Sequence, residues 1–404
     1  MLTFGKLRIA YGEVGVEPPP FNTQSIYVSP NYSDSFGGSL STDLFGAGSF
    51  TPSQDLGDPQ LSPEIKKEYE IGTDLRFFDN KIKLGYSYYY NKTEDVFFNL
   101  SLANSSGYDE LFTNAGEIEN KGMEVDLSYD LLRNDNFSIN FNINWSYYRN
   151  NVLDLKGVES IRLGGLSAVS GRAVEGYPLG IFWGTKFERN DEGSILLNNN
   201  GFPSLAPENG VIGNPHPDWQ GGIGTTVSWK DLSLFFLFET YQGADIYAGT
   251  KAVLLNYGRH QDSGIETVAQ KDLFDYSGGL IKSGTTFRGS IHDFGAGPVA
   301  LTEPWYRGIG GYFSGVQEQF VEDGSWTRLR ELTLSYSLKG AKFRKASKLS
   351  SIDFSFTGRN LFIFTDFVGN DPDTNLTEVS TTRGIDYFNN PGTKSYVFKI
   401  IINY

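Results

Sequence analysis

The sequence has no cysteine among its 404 residues, only 2 methionines and only 3 histidines. The lack of cysteine excludes disulfides, thiolate nucleophiles and Cys-based zinc sites. His216, His260 and His292 fall in expected loops without HExxH or other metal-ligand spacing, and there is no G-x-S-x-G elbow. The chain is therefore read as a non-enzyme, with no catalytic residue, cofactor or metal assigned. No run of 18 or more apolar residues occurs, which excludes helical membrane spans. Lys and Arg number 34 against 48 Asp and Glu, a net charge of −14, so nucleic acid is not an expected partner.

Aromatic residues are plentiful. They make up 15% of the chain, with 31 Phe and 23 Tyr, and 47 Gly accompany them. The stretch 137–147 alternates without a break. Phe137, Ile139, Phe141, Ile143, Trp145 and Tyr147 share one face, and Ser138, Asn140, Asn142, Asn144 and Ser146 share the other. Just before it, Met123, Val125, Leu127, Tyr129 and Leu131 alternate with Glu124, Asp126, Ser128 and Asp130. Only a short polar turn at 133–136 separates the two segments. Eleven residues of strand, tilted by about 45°, span the apolar thickness of a bilayer. Two such strands with apolar outer faces predict a hairpin of a transmembrane antiparallel β-barrel.

The same rhythm recurs at 6–12, 68–77 with 82–90, 222–229 with 232–241, 328–338 with 352–364, and 394–404. Residues 99–113 read as a loop. Short turns near 79, 134, 230 and 344 must share one side of the membrane, the periplasmic side in such barrels. Long extracellular loops are expected at about 14–64, 150–216, 248–319 and 366–393, with a short helix near 250–257. A hairpin at 179–198 either crosses the membrane or stays in its loop, so the count is ten or twelve strands. Residues 1–5 show neither the basic nor the apolar region of a signal peptide. The chain is accordingly expected to be the C-terminal piece of a longer protein.

Several blocks carry a family resemblance. Leu61-Ser-Pro-Glu-Ile-Lys-Lys-Glu-Tyr-Glu-Ile-Gly72, with Asp74-Leu-Arg-Phe-Phe78 after it, resembles a strand of TonB-linked outer-membrane transporters. Asn114-Ala-Gly-Glu-Ile-Glu-Asn-Lys-Gly-Met-Glu124 and Asp323-Gly-Ser-Trp-Thr-Arg-Leu-Arg-Glu-Leu-Thr-Leu-Ser-Tyr336 resemble segments of the SusC/RagA branch. Gly358-Arg-Asn-Leu-Phe362 and Gly384-Ile-Asp-Tyr387 fit its C-terminal pattern. The resemblance implies the last ten to twelve strands of a 22-strand barrel, present as an open, incomplete sheet. It also implies the outer membrane of a Gram-negative, Bacteroidetes-like cell and import of a glycan or peptide. The implied partners are membrane lipids, a SusD-like surface lipoprotein as lid, and TonB reached through an N-terminal plug. The plug and the carboxypeptidase-like domain of the family have no counterpart in this sequence. Two alternatives stand beside this reading: a small passive porin formed by this chain alone, and a soluble β-sandwich binding module.

Candidate contact residues follow from position. Trp219, Trp305, Tyr306 and Tyr312 lie in or beside expected outer loops, where flat rings with polar edges suit a sugar or peptide. Arg328, Arg330 and Glu331 read as lumen or rim contacts. Tyr396, Phe398, Ile400, Ile402 and Tyr404 form one face of the last strand and look like the C-terminal signal read by the barrel-assembly machinery. Asp371-x-Asp373-x-Asn375 resembles the opening of a calcium loop. An EF-hand would need glycine at 376 and glutamate at 382, where Leu376 and Thr382 stand, and an acidic loop is the favoured reading.

Overall fold

A computed structural model describes residues 1–32, 40–41, 48–376 and 380–404. Ten strands form one antiparallel sheet in strict chain order. They are β1 (Leu2–Val16), β2 (Glu64–Phe77), β3 (Ile82–Ser101), β4 (Glu110–Arg133) and β5 (Phe137–Asp154). The remaining five are β6 (Trp219–Trp229), β7 (Leu232–Gln242), β8 (Trp326–Lys339), β9 (Ser351–Thr365) and β10 (Ser395–Asn403). Asp55–Leu56 adds a short parallel contact to the start of β4. Among the described residues no ladder joins β1 to β10, so the sheet is open.

Register shows why the alternation matters. One cross-strand row runs Gly5, Leu75, Leu84, Leu127, Ile143, Ile223, Phe238, Leu329, Phe362 through nine consecutive strands. The row beside it, pointing the other way, runs Lys6, Asp74, Gly85, Asp126, Asn144, Gly222, Glu239, Arg328. A cleft of about 730 Å³ touches seven strands through Lys6, Asp74, Asp126, Asn142, Asn144 and Phe235 among others. Only the concave side of a curved sheet lets so many strands line one cleft. The polar row therefore faces inward and the apolar row outward. Leu7 and Ile9 on that outer face are 67% and 74% exposed, as lipid contact requires and a soluble sandwich forbids.

The apolar band has measurable edges. On β2 and β3 the outward residues stay uncharged, and apolar but for Thr73, from Phe77 to Tyr69 and from Ile82 to Tyr90, then turn charged at the paired Lys67 and Lys92. On β6 a tryptophan closes each end, Trp219 and Trp229, ten residues apart. That is about 33 Å along the strand, or about 23 Å along the membrane normal at a 45° tilt. This is close to the height of the lipid-facing band of outer-membrane barrels, which is about 25 Å. Among the described residues no helix is long and apolar enough to cross a membrane.

Four short connections gather at one rim. Phe78, Asp79 and Asn80 take positive φ to turn β2 into β3, and Lys230 (φ 54°) does so between β6 and β7. Neighbouring turns are tied together: Asp130 N–H donates to the Lys81 carbonyl, Lys230 to Asn136, and Ser337 to Asp231. The fourth connection, between β8 and β9, carries a short helix, Ala341–Ser347. Ser350 donates to the Tyr404 carbonyl, which places the C-terminal residue at this rim too.

One expected loop is shortened, and one crossing left open by the sequence is decided. The loop expected at 99–113 is confined to residues 102–109: β3 runs through Ser101 and β4 starts at Glu110. Register shifts at Thr93–Phe97 break the alternation there, which hides the strand from pattern reading. The segment 179–198 does not cross the membrane. Ile181–Gly184 belongs to a separate four-stranded sheet with Ser160–Gly165, Val169–Val174 and Gly210–Gly213, and the count is ten strands.

Candidate functional site

Beyond the opposite rim, the connections after β5, β7 and β9 fold into one layer, here called the cap. Its core joins Val169, Phe182 and Phe202 from the first, Tyr247, Trp305 and Tyr312 from the second, and Ile385 from the third. Asp245–Ala248 pairs antiparallel with Val321–Asp323 and parallel with Ile385–Asp386, which stitches the second connection to the third. The second also contributes two helices, α1 (Gly249–Asn256) and α2 (Glu303–Arg307). A second apolar cluster seats Ile161 and Ala173 of the cap against Phe98, Ile118 and Val152, where β3, β4 and β5 rise above the membrane band.

Three of the four aromatic candidates are built into this core. Trp305 is 3% exposed and contacts the rings of Phe202, Tyr276 and Phe294 at centroid distances of 5.7, 5.8 and 5.3 Å. Tyr306 and Tyr312 are buried as well, and burial pushes both phenols above their usual range. Trp305, with three rings packed around it, holds the cap together and has no free face for a ligand, whereas Tyr306 borders a cavity within the cap. Trp219 is partly exposed, but it lies on the outward face at the upper edge of the membrane band, paired with Gln242. It is an interfacial residue. None of the four lines the inward clefts of the wall.

The structure instead brings together an inward cluster under the cap. Tyr241 on β7 and Trp326 on β8 stack with ring centroids 6.0 Å apart. The guanidinium groups of Arg328 and Arg330 lie 5.3 and 5.0 Å from the Trp326 ring centroid. Arg330 is the extra residue of a bulge between Leu329 and Glu331. The bulge turns it inward, where it pairs with Glu239 and, at 2.6 Å, with Asp373. Arg328 forms a buried pair with Asp371. Both acidic residues of the calcium-like motif are thus engaged by guanidinium groups. Tyr241, Trp326, Arg330, Glu239 and Asp373 of this cluster, with Glu124, Asp126, Asn144 and Gln220, line an inward cleft of about 500 Å³. Arg328, Arg330 and Glu331 were legible as lumen or rim residues, while Tyr241 and Glu239 were missed. Their place on the inward parity of β7 was the available signal.

His216 fixes the joint between wall and cap. Its Nε2 lies 2.7 Å from the Leu179 carbonyl, so Nε2–H donates there. Nδ1, 2.8 Å from the Tyr148 hydroxyl, then accepts from it. Burial lowers its pKa and keeps the ring neutral. Nearby, Asp245 accepts from the Asn214 N–H at 2.6 Å, and burial raises its pKa.

The outward face of β10 consists of Tyr396, Phe398, Ile400 and Ile402, all about half exposed or more, with Tyr404 just beyond the strand.

A curved sheet with a lipid-facing band, short turns on one rim and a folded cap on the other is the architecture of an outer-membrane receptor barrel. Residues 14–361 match the family described as "TonB dependent receptor-like, beta-barrel". The chain belongs to that family. It is 27% identical over 395 residues to TonB-dependent receptor P26 of Formosa agariphila, covering 92% of this chain and 37% of that protein. It is 22% identical over 331 residues to TonB-dependent receptor SusC of Bacteroides thetaiotaomicron, covering 78% of this chain and 30% of that protein. A structure of the RagAB peptide transporter superposes on the whole chain with a TM-score of 0.71 at 19% identity, over 41% of its own chain. The SusC/RagA resemblance read from the motifs is thus shown, as is the outer-membrane location. The chain spans about a third of the length of the curated relatives it matches.

Proposed function

We propose that this chain forms the C-terminal barrel wall and the extracellular cap of a TonB-dependent importer that takes up oligosaccharides or peptides. The observation that carries the reading is the two-faced wall: an apolar row to lipid, a charged and amide-rich row to the lumen, and a folded cap above only one rim. In this reading the short turns and Tyr404 face the periplasm, and the cap faces outside. A SusD-like surface lipoprotein docks on the cap. TonB acts through a plug carried by the longer protein, with which this chain works. The outward face of β10, with Tyr404, serves as the signal for barrel assembly. A passive porin made from this chain alone would need β1 paired to β10, and the described residues show an open sheet instead.

The test is uptake in cells carrying the gene in its own genome, with and without residues 248–319, at matched outer-membrane levels. The deletion should abolish uptake of labelled oligosaccharide or peptide, or recovery of the co-purifying lipoprotein, while the barrel stays inserted. Unchanged uptake with unchanged lipoprotein recovery would overturn the reading.

A further inference from the structure

A cavity of about 620 Å³ lies within the cap, away from the inward cleft, between the end of α1 and the start of α2. Its size falls within the range of small-molecule sites, about 300–1,000 Å³. Two of its lining residues hold buried polar atoms without a hydrogen-bond partner, Asn256 Oδ1 and Thr302 Oγ1. A buried polar atom left unpaired costs roughly 1–3 kcal/mol, so such atoms call for an explanation. Thr302 is the more telling. It is the N-cap residue of α2, where a threonine hydroxyl ordinarily accepts a backbone N–H, and here it makes no such bond.

The rest of the lining narrows the chemistry. Tyr257, Phe287 and Tyr306 supply ring surface. Of the two arginines, Arg307 is paired with Glu303 at 3.3 Å; the exposed Arg288 stands opposite Glu266 in a two-stranded ladder and forms no ion pair among the described residues, and the remaining lining carboxylate, Asp275, accepts from the Gly279 N–H. Ring surface, two unpaired polar oxygens and an unengaged guanidinium suit a molecule with an apolar face, several hydroxyls and one negative group. We infer that the cap cavity between α1 and α2 binds one residue of an acidic saccharide. Its hydroxyls meet Asn256 and Thr302, and its carboxylate or sulfate meets Arg288. The inference rests on the importer reading only for the side of the membrane that the cavity faces.

Binding is tested on the full-length transporter purified in detergent, so the result does not depend on uptake. The probes are a uronate oligosaccharide, a sulfated oligosaccharide and a neutral malto-oligosaccharide, titrated by calorimetry. At least one acidic probe should bind more tightly than the neutral one. Arg288→Gln should weaken the acidic probe by about tenfold or more, the scale of a lost charged hydrogen bond, and remove its advantage over the neutral one. Thr302→Val should weaken binding several-fold while leaving thermal stability unchanged or raised, because its hydroxyl has no partner to lose. No saccharide binding, equal binding of acidic and neutral probes, or binding insensitive to both substitutions would overturn the inference. Loss of uptake with binding intact would instead count against the importer reading alone.

Discussion

Phe141 and Asn142 are chain neighbours at nearly the same depth that point to opposite sides of the wall. Phe141 pairs with Tyr129 on β4 and with Thr225 on β6, and Thr225 pairs in turn with Phe236. Thr225 lies one residue from the midpoint between Trp219 and Trp229, about 2 Å from the centre of the apolar band at a 45° tilt. A charge on the lipid face at the midplane costs about 2–4 kcal/mol. Phe141→Arg should therefore lower the folding equilibrium constant by about 30- to 700-fold. Asn142→Arg places the same charge in the cleft lined by Asp126, Asn144 and Lys6, where water and carboxylates receive it. Its cost should be well under 1 kcal/mol, as for most surface substitutions. The assay is reversible denaturant unfolding of the full transporter in lipid vesicles, followed by tryptophan fluorescence. Equal costs for the two variants, or a larger cost for Asn142→Arg, would refute the assignment of faces.

Three further outcomes follow from the cap and its joints. Trp305→Ala removes the centre of the aromatic cluster and should cost the cap about 3–5 kcal/mol, read as protease cleavage within residues 243–325 while the barrel stays resistant. Arg328→Met leaves Asp371 buried without its partner and should destabilise by about 3–5 kcal/mol. The double variant with Asp371→Leu should recover much of that loss, measured by the same unfolding assay. His216 has a depressed pKa, so the stability it contributes is present above its unfolded pKa of about 6.5 and is lost as pH falls through its lower folded value. Protection of the amides around Leu179, taken relative to their intrinsic exchange rates at each pH, should fall on acidification from pH 7.5 to pH 5, and His216→Asn should flatten that response.

The membrane-crossing part of the fold was legible because its physics is local. Alternation decides the face of each residue, and nine to eleven alternating residues decide the span, so β2, β5 and β7 were readable one segment at a time. Above the band this signal fades. At 93–97 the register shifts, and Lys92, Glu94 and Glu117 put charge on the outward face, so the extensions of β3 and β4 read as loop. The cap was legible only as ordered structure with a short helix, which is α1. Its core depends on contacts such as Phe202 with Trp305 and Tyr247 with Ile385, separated by a hundred residues or more, that no local pattern announces. An aromatic residue in a loop reads as ligand contact until its packing partners are known. That is why Trp305, Tyr306 and Tyr312 were read as contacts for a ligand and are found inside the core.

The absence of cysteine makes the most direct test clean, since every introduced thiol is the only one in this chain. Asp191→Cys places a thiol on the exposed turn of the cap, and Asp79→Cys places one on the turn between β2 and β3 at the opposite rim. Intact cells expressing each full-length variant are treated with a membrane-impermeant maleimide. The architecture requires labelling at residue 191 in intact cells, and at residue 79 only after the outer membrane is permeabilised. Labelling of residue 79 in intact cells with residue 191 protected would invert the topology and contradict the account.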